Sequence, residues 1–319
     1  MSTATTIQPE RILRDLQQLW AQMAVDQADS GGVLRACAMT LVVVAENAAD
    51  AERVRQTVGV LMHNHPSRAV ILRPSGDGGS AELDARIFAE CWKPFGKSQQ
   101  ICSEGIEITA GQGGFAEVAK FLVPLRVPDL PVVLWCRGAA ALEPGPWEPL
   151  FPLADKIIFD SSQVADADSA LQFLRRLRGR GRRVADLHWT RLTGWREVLA
   201  HLFDDHALQP SEVKGAQVTF GGPSVTTCAR YFAAWIRTAL PTARVTIQSG
   251  DGPRGLRSVT LSTASDNLTI TRGDDHCLEV SGCGRHYRST LPSASEEALM
   301  QEELGILGPD PVYERVLTA

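Results

Sequence analysis

Apolar positions recur at two different periods along the chain, and the switches between them mark out its elements. Near the start, Ile12, Leu16, Leu19, Trp20 and Met23 fall at three- and four-residue spacing, which predicts one face of a helix. The small, flexible stretch 26–32 ends that pattern, so residues 1–30 read as a helical arm. Beyond it, short apolar runs alternate with helical spacings. Strands are expected at Cys37–Ala45, Arg68–Leu72, Val132–Trp135, Lys156–Phe159 and Arg183–Leu187, and helices at Ala49–Leu61, Phe115–Leu125 and Ala170–Arg178. Leu83, Ala85, Ile87, Ala89 and Cys91 alternate with polar residues, as Ile101, Ile106 and Ile108 do less regularly, which predicts a hairpin turning at Lys93–Gly96. Strands joined through helices need crossovers. Residues 31–190 are therefore expected to form an α/β domain with a mixed, mainly parallel sheet covered by helices.

The period changes again near Thr190. Leu192, Trp195, Leu199, Leu202 and Phe203 make one helix face, and Cys228, Tyr231, Phe232, Trp235 and Ile236 another. Short alternating runs follow at Val245–Ile247, Ser258–Leu261, Leu268–Ile270, Leu278–Val280 and His286–Arg288, divided by turn residues. A charged helix over Ser295–Leu307 and a tail helix over Val312–Leu317 end the pattern. Residues 191–319 are thus expected to be a smaller α+β domain with an antiparallel meander. No internal repeat indicates a solenoid.

Composition narrows the class. The 319 residues are 44% hydrophobic and 22% charged, as in a globular protein, with a net charge of -5. An acidic balance argues against a chain that coats nucleic acid or an anionic membrane. Residues 1–23 carry no basic segment followed by an apolar one, and no apolar run approaches the ~20 residues a membrane span needs. A cytoplasmic location is expected, and with it seven cysteines held as thiols, an odd number that does not suit a paired framework.

Motifs with the letters of a catalytic or ligand site fail on their surroundings. Gly76-Asp77-Gly78-Gly79-Ser80-Ala81 spells G-x-G-x-x-A, but Arg73-Pro74-Ser75 separate it from the strand and no helix follows. Gly96-Lys97-Ser98 lacks the first glycine of a P-loop, since Cys91 stands there. His63 and His65 supply two zinc ligands without a third or fourth. The adjacent acids Asp204-Asp205, Asp274-Asp275 and Glu296-Glu297 read as solvated surface, and so does the basic run from Arg175 to Arg183. No cofactor, metal or catalytic group is expected. Cys277 and Cys283 flank a turn placed at Ser281-Gly282; a two-residue loop would turn them to opposite faces and a three-residue loop to one face, near enough for a redox pair.

Tryptophan and arginine together mark two strand ends. Pro128-Asp129-Leu130-Pro131 leads into a strand ending Trp135-Cys136-Arg137, and the last strand runs into Trp189, Arg191, Trp195 and Arg196. These residue types dominate protein interfaces. Their alternative duty is to fill an interdomain core, with the arginines paired to Asp129 or Glu197. A third reading has Arg68, Arg137 and Arg191 hold a sugar phosphate or nucleotide.

Three segments carry a resemblance. His65-Pro66-Ser67-Arg68, then Pro128-Asp129-Leu130-Pro131-Val132-Val133-Leu134-Trp135-Cys136-Arg137-Gly138, then the run from Asp186 to Arg196 are similar, in this order, to the OpcA family of glucose-6-phosphate dehydrogenase assembly proteins. Glu302-Glu303-Leu304 and Pro311-Val312-Tyr313 resemble the family's close. Cys136 stands where the family has a second tryptophan and Gly194 where it has a proline. The resemblance implies a non-catalytic partner of glucose-6-phosphate dehydrogenase that promotes its active oligomer and so supports the oxidative pentose phosphate pathway and NADPH supply. It implies thioredoxin control in photosynthetic members, which keeps a thiol-responsive adaptor among the alternatives.

Overall fold

The computed structural model describes residues 8–27, 31–74, 84–94, 96, 98–110, 115–205, 208–273, 276–291 and 295–319. The G-x-G-x-x-A segment, Lys97 and the pair Asp274-Asp275 lie outside them. The chain divides into two compact units: Met1–Phe159 with Arg182–Val184, and Asp160–Gly181 with Ala185–Ala319.

The first unit is built on one sheet. Its strands are β1 (Val33–Arg35), β2 (Met39–Val44), β3 (Ser67–Pro74), β4 (Asp84–Trp92), β5 (Gln100–Ala110), β6 (Val132–Cys136), β7 (Lys156–Phe159) and β8 (Val184–Asp186). They lie in the order β1-β5-β3-β2-β6-β7-β8, with β4 paired to β5 off that path. All the pairings from β1 to β7 are parallel except the antiparallel β4–β5 hairpin, so the sheet is mixed and mainly parallel, as its pattern predicts. Every residue of β2, β6 and β7 is buried, which is why those runs are mostly apolar, with Thr40 and Lys156 the exceptions. Helix α2 (Ala48–Asn64) buries Val54, Val58, Leu61 and Met62, and α3 (Phe115–Leu125) buries Val118, Leu122 and Leu125. The arm helix α1 (Pro9–Asp26) is packed by Ile12 and Leu16, and its Trp20 indole donates to Glu104 Oε2 at 2.5 Å.

The β4–β5 hairpin corrects one expectation. Cys91 faces Cys102 across the ladder, with Cα atoms 4.1 Å apart, and the two are bonded. Two of the seven cysteines are therefore not thiols. Directly opposed residues in an antiparallel pair stand close enough to bridge without moving the backbone. Three positions further along, Phe88 lies over Gly105, where a Cβ would sit 2.1 Å from the ring, so the aromatic occupies the space the glycine leaves.

The second unit has its own sheet, in the order β10-β9-β11-β12-β13-β14. Its strands are β9 (Gly215–Gly221), β10 (Arg244–Gly250), β11 (Gly255–Ser262), β12 (Asn267–Arg272), β13 (Cys277–Gly282) and β14 (Arg285–Thr290). From β9 through β11 to β14 the pairing is antiparallel, the expected meander. Strand β10 departs from it by pairing with β9 in parallel. The sequence reading contains no β9, although Ala216, Val218 and Phe220 alternate with Gln217 and Thr219. Helix α7 (Thr227–Ala239) joins β9 to β10 and buries Cys228, Tyr231, Phe232 and Ile236. The remaining helices are α4 (Ala167–Gly179), α5 (Leu187–Thr190), α6 (Thr193–Asp204), α8 (Glu296–Leu304) and α9 (Pro311–Thr318). The basic end of α4 is not simply solvated: Arg175 donates to the Leu317 carbonyl at 2.6 Å and Arg178 reaches Glu314, tying α9 down by its last carbonyls.

Candidate functional site

In the first unit the central strand β2 has β3 on one side and β6 on the other, the order of a doubly wound sheet. In that architecture a nucleotide sits at the carboxyl ends of the two strands where the winding reverses, here β2 and β6. The chain fills this place with its own side chains. Arg137, just past β6, donates from Nε and Nη2 to the two oxygens of Asp50, at 2.8 Å each. Asp50 belongs to the first turn of α2 and also accepts the Glu46 amide, while Asn47 caps the helix by accepting from the Asp50 amide. The amides that would greet a phosphate thus serve two side chains. The residues after β2, Ala45-Glu46-Asn47, include no glycine to let a ligand approach. Burial pushes the Asp50 carboxyl up, but the Arg137 and Glu46 hydrogen bonds outweigh it and hold the group below its usual value. The guanidinium also lies 4.6 Å from the centre of the buried Trp135 ring.

Glu104 on β5 is a second charge centre of this unit. It is 2% exposed and receives Arg68 at 2.5 Å, Arg35 at 2.6 Å and the Trp20 indole. Burial raises its carboxyl and these donors lower it further, leaving it ionised. Arg68 also donates to the Leu125 carbonyl.

The second unit gathers its polar side chains around Asp186. This carboxylate has no exposed surface and accepts the amides of Ser161 and His188 at 2.9 Å, the Ser161 hydroxyl at 2.5 Å and the Tyr231 hydroxyl at 2.8 Å. Tyr313 stands 3.1 Å behind Tyr231, and Thr227 Oγ1 touches both Ser161 Oγ at 2.7 Å and His188 Nδ1 at 2.5 Å. With the Ser161 proton committed to Asp186, Thr227 must give its proton to Ser161, so His188 donates from Nδ1 and keeps Nε2 as an acceptor. Burial, and then the charge of Asp160, raises Asp186 to about 6. Burial lowers His188 to about 3, so the ring is neutral at physiological pH.

One side of His188 borders a cleft of about 320 Å³. Arg191, Arg254 and Arg272 line it together with Ser162 and Gln163. Arg191 is held by Asp160 through two hydrogen bonds of 2.7 and 2.8 Å, and Arg254 donates to the Val164 carbonyl at 2.5 Å. A wider recess of about 450 Å³ elsewhere in this unit is lined by Glu212, Lys214 and Asp266, which differ in sign.

The tryptophans of the two tryptophan-arginine segments are internal. Trp135, Trp189 and Trp195 are 1%, 3% and 2% exposed, so their rings are core within their own units. Trp189 is boxed by Arg196, 3.6 Å above its centre, and by Tyr231 and Tyr313, and its indole donates to Asp310. Burial drives the Arg196 guanidinium down to about 10 despite nearby acids. Arg137 and Arg191 take Asp50 and Asp160 as partners, and Glu197 is one of several acids whose charge acts on Arg196. Asp129 is exposed, at φ 63, in the turn before β6, and His65 is half-buried at the end of α2. Arg68, Arg137 and Arg191 each have a separate carboxylate, Glu104, Asp50 and Asp160.

The cysteine hairpin also differs from its expected form. Gly282 pairs with Arg285, which leaves Cys283-Gly284 as the two-residue loop. Both have positive φ, 51 and 71, as a type I′ turn requires. Cys283 therefore sits in the turn, while Cys277 opens β13 opposite Thr290, and both are free thiols. The partners that organise these sites, Asp50, Glu104, Asp160 and Asp186, were not singled out from sequence. Asp186 opens the Asp186–Arg196 segment, and Asp50 stands in the first turn of a helix as an acidic residue should.

By fold the protein is a doubly wound α/β unit followed by a mixed-sheet unit, with an internal ion pair at the place where such folds hold a nucleotide. Comparison with known proteins specifies this further. Residues 58–176 match the family model described as glucose-6-phosphate dehydrogenase subunit N-terminal domain, and residues 182–317 the one described as its C-terminal domain. The two matches follow one another and take up most of the chain, which belongs to this family, the OpcA family. A protein of Synechococcus elongatus, provisionally named as the OxPP cycle protein OpcA, is 26% identical over 66% of the chain and 47% of its own length. Its namesake in Synechocystis is 30% identical over 44% of the chain and 30% of its own length. The chain spans less than half the length of these relatives. In fold it is similar to a 3-ketoreductase of Actinomadura kijaniata solved with TDP-benzene and NADP, at 10% identity and a TM-score of 0.50, over 88% of this chain and 93% of that one.

Proposed function

We propose that the protein is a non-catalytic partner of glucose-6-phosphate dehydrogenase that promotes the enzyme's active oligomer and raises its activity. The observation that carries this reading is the succession of the two subunit-domain matches along one chain. The Asp50–Arg137 pair supports it, because the crevice a dehydrogenase of this fold would use for its dinucleotide is occupied by an ion pair of the protein itself. An activator of this kind binds the active form of the enzyme better than the inactive one, since equal affinity shifts nothing. Its place is then in the oxidative pentose phosphate pathway, in the cytoplasm, on the side of NADPH supply.

Mixing the protein with the cognate dehydrogenase is the test. The expected result is a stable complex with raised activity or a lowered KM for glucose 6-phosphate. Absence of both a complex and a kinetic change overturns the reading. Under it, the tryptophan-arginine segments act by maintaining the shape each unit presents. Arg137→Ala and Trp195→Ala then reduce activation in step with their loss of folded protein.

A further inference from the structure

We propose that the arginine-lined cleft of the second unit is a binding site for a small phosphate monoester, gripped by Arg254 and Arg272 with Arg191 and His188 behind them. This goes beyond the assembly role and does not depend on it. Four observations lead there.

The first is charge. The protein carries a net charge of -5, yet three guanidiniums converge on one cleft, and no acidic residue is among the described residues that line it. Asp160 answers the charge of Arg191, and the Val164 carbonyl positions Arg254 without neutralising it. Arg254 and Arg272 line the cleft with no ion pair to a carboxylate among the described residues, which matches the charge of about −1.5 to −2 on a phosphate monoester at neutral pH better than a single carboxylate. The second is residue type. Three arginines and no lysine offer planar forks of N–H donors, the geometry that phosphate oxygens accept in pairs.

The third is His188. Its Nδ1 is used by Thr227 inside the unit, so Nε2 is the ring nitrogen the network leaves over, on a side chain that borders the cleft. Arg191 and Arg254 add to burial in keeping the ring uncharged, so Nε2 accepts from a hydroxyl on the organic part of the ester while the phosphate oxygens fall to the guanidiniums. The fourth is size and place. About 320 Å³ suits a small ligand, and the segments 160–163 and 187–192 follow β7 and β8 directly, as ligand-holding loops of parallel sheets do.

Isothermal titration of the protein alone, without any dehydrogenase, tests the site. Inorganic phosphate and glucose 6-phosphate serve as probes, glucose as the uncharged control and citrate as the carboxylate control. Both phosphates are expected to bind and glucose to give no heat. Arg254→Gln and Arg272→Gln are each expected to weaken phosphate binding by about tenfold or more, the loss of a charge-assisted hydrogen bond. The unliganded Tm of each variant should equal that of the parent, showing that the fold is retained. Silence with both phosphates at millimolar concentration overturns the proposal. So does citrate binding more tightly than glucose 6-phosphate, or undiminished phosphate binding by the double variant. Because no partner enzyme is present, none of these outcomes bears on the assembly role.

Discussion

Each unit clamps an arginine between the two oxygens of an aspartate, and the two clamps differ in what surrounds them. Arg137 and Asp50 are 12% and 1% exposed, backed by Trp135 and by the first turn of α2. Arg191 and Asp160 are 23% and 22% exposed and form a wall of the cleft. The hydrogen-bond geometry is nearly the same. The first pair is buried and the second borders a cleft. A bidentate ion pair is therefore not in itself a mark of a site: its solvent access decides whether it is structural filling or part of a binding surface.

Breaking the buried clamp should have the largest effect. Arg137→Ala strands the Asp50 carboxylate in the interior, and a loss of about 3–5 kcal/mol in urea unfolding is expected. A loss under 1 kcal/mol would mean that water reaches Asp50. Asp186→Asn comes next, at about 2–4 kcal/mol, since the amide still accepts from the two backbone N–H groups but turns a donor toward the hydroxyls of Ser161 and Tyr231. Arg191→Ala should cost only about 1–2 kcal/mol, because Asp160 is half-open to water. Equal costs at Arg137 and Arg191 would erase the contrast between the clamps.

The smallest effect is in the pH dependence. Asp50 and Asp160 both have folded-state values below their unfolded ones. Such groups contribute stability that is present above the unfolded carboxylate value, near pH 4, and lost as pH falls through the folded one. Arg137→Ala should flatten that acid limb more than Arg191→Ala, measured as the slope of unfolding free energy between about pH 4 and 2.

Much of the frame was legible from sequence because burial on both faces leaves short apolar runs, as in Ile157–Phe159 behind Lys156, and the expected limits Lys156–Phe159 coincide with β7. Phe115–Leu125 likewise matches α3. What escaped had a physical cause. Strand β9 is bounded by glycines and alternates with polar residues, so it offers no continuous apolar run to mark it. The charge centres escaped because their partners are far apart in sequence: Arg137 and Asp50 by 87 positions, Arg68 and Glu104 by 36. Periodicity reports which face of an element is buried but not which carboxylate waits there. Tryptophan and arginine were noticed for the right reason, their size and charge, but those same properties suit them to a core once an acid is supplied.

The division of the chain into units has a consequence for synthesis. The path leaves the first unit after Phe159, returns for residues 182–184, and leaves again. A nascent chain that has emerged only as far as β7 therefore lacks the strand next to β7, and that edge keeps its hydrogen-bonding groups exposed. By the time β8 emerges, α4 has emerged before it, with its buried face still waiting for α7 and α9 to be made. Translation thus holds an open sheet edge and an uncovered helix face at once, the two surfaces on which a growing chain is most apt to aggregate.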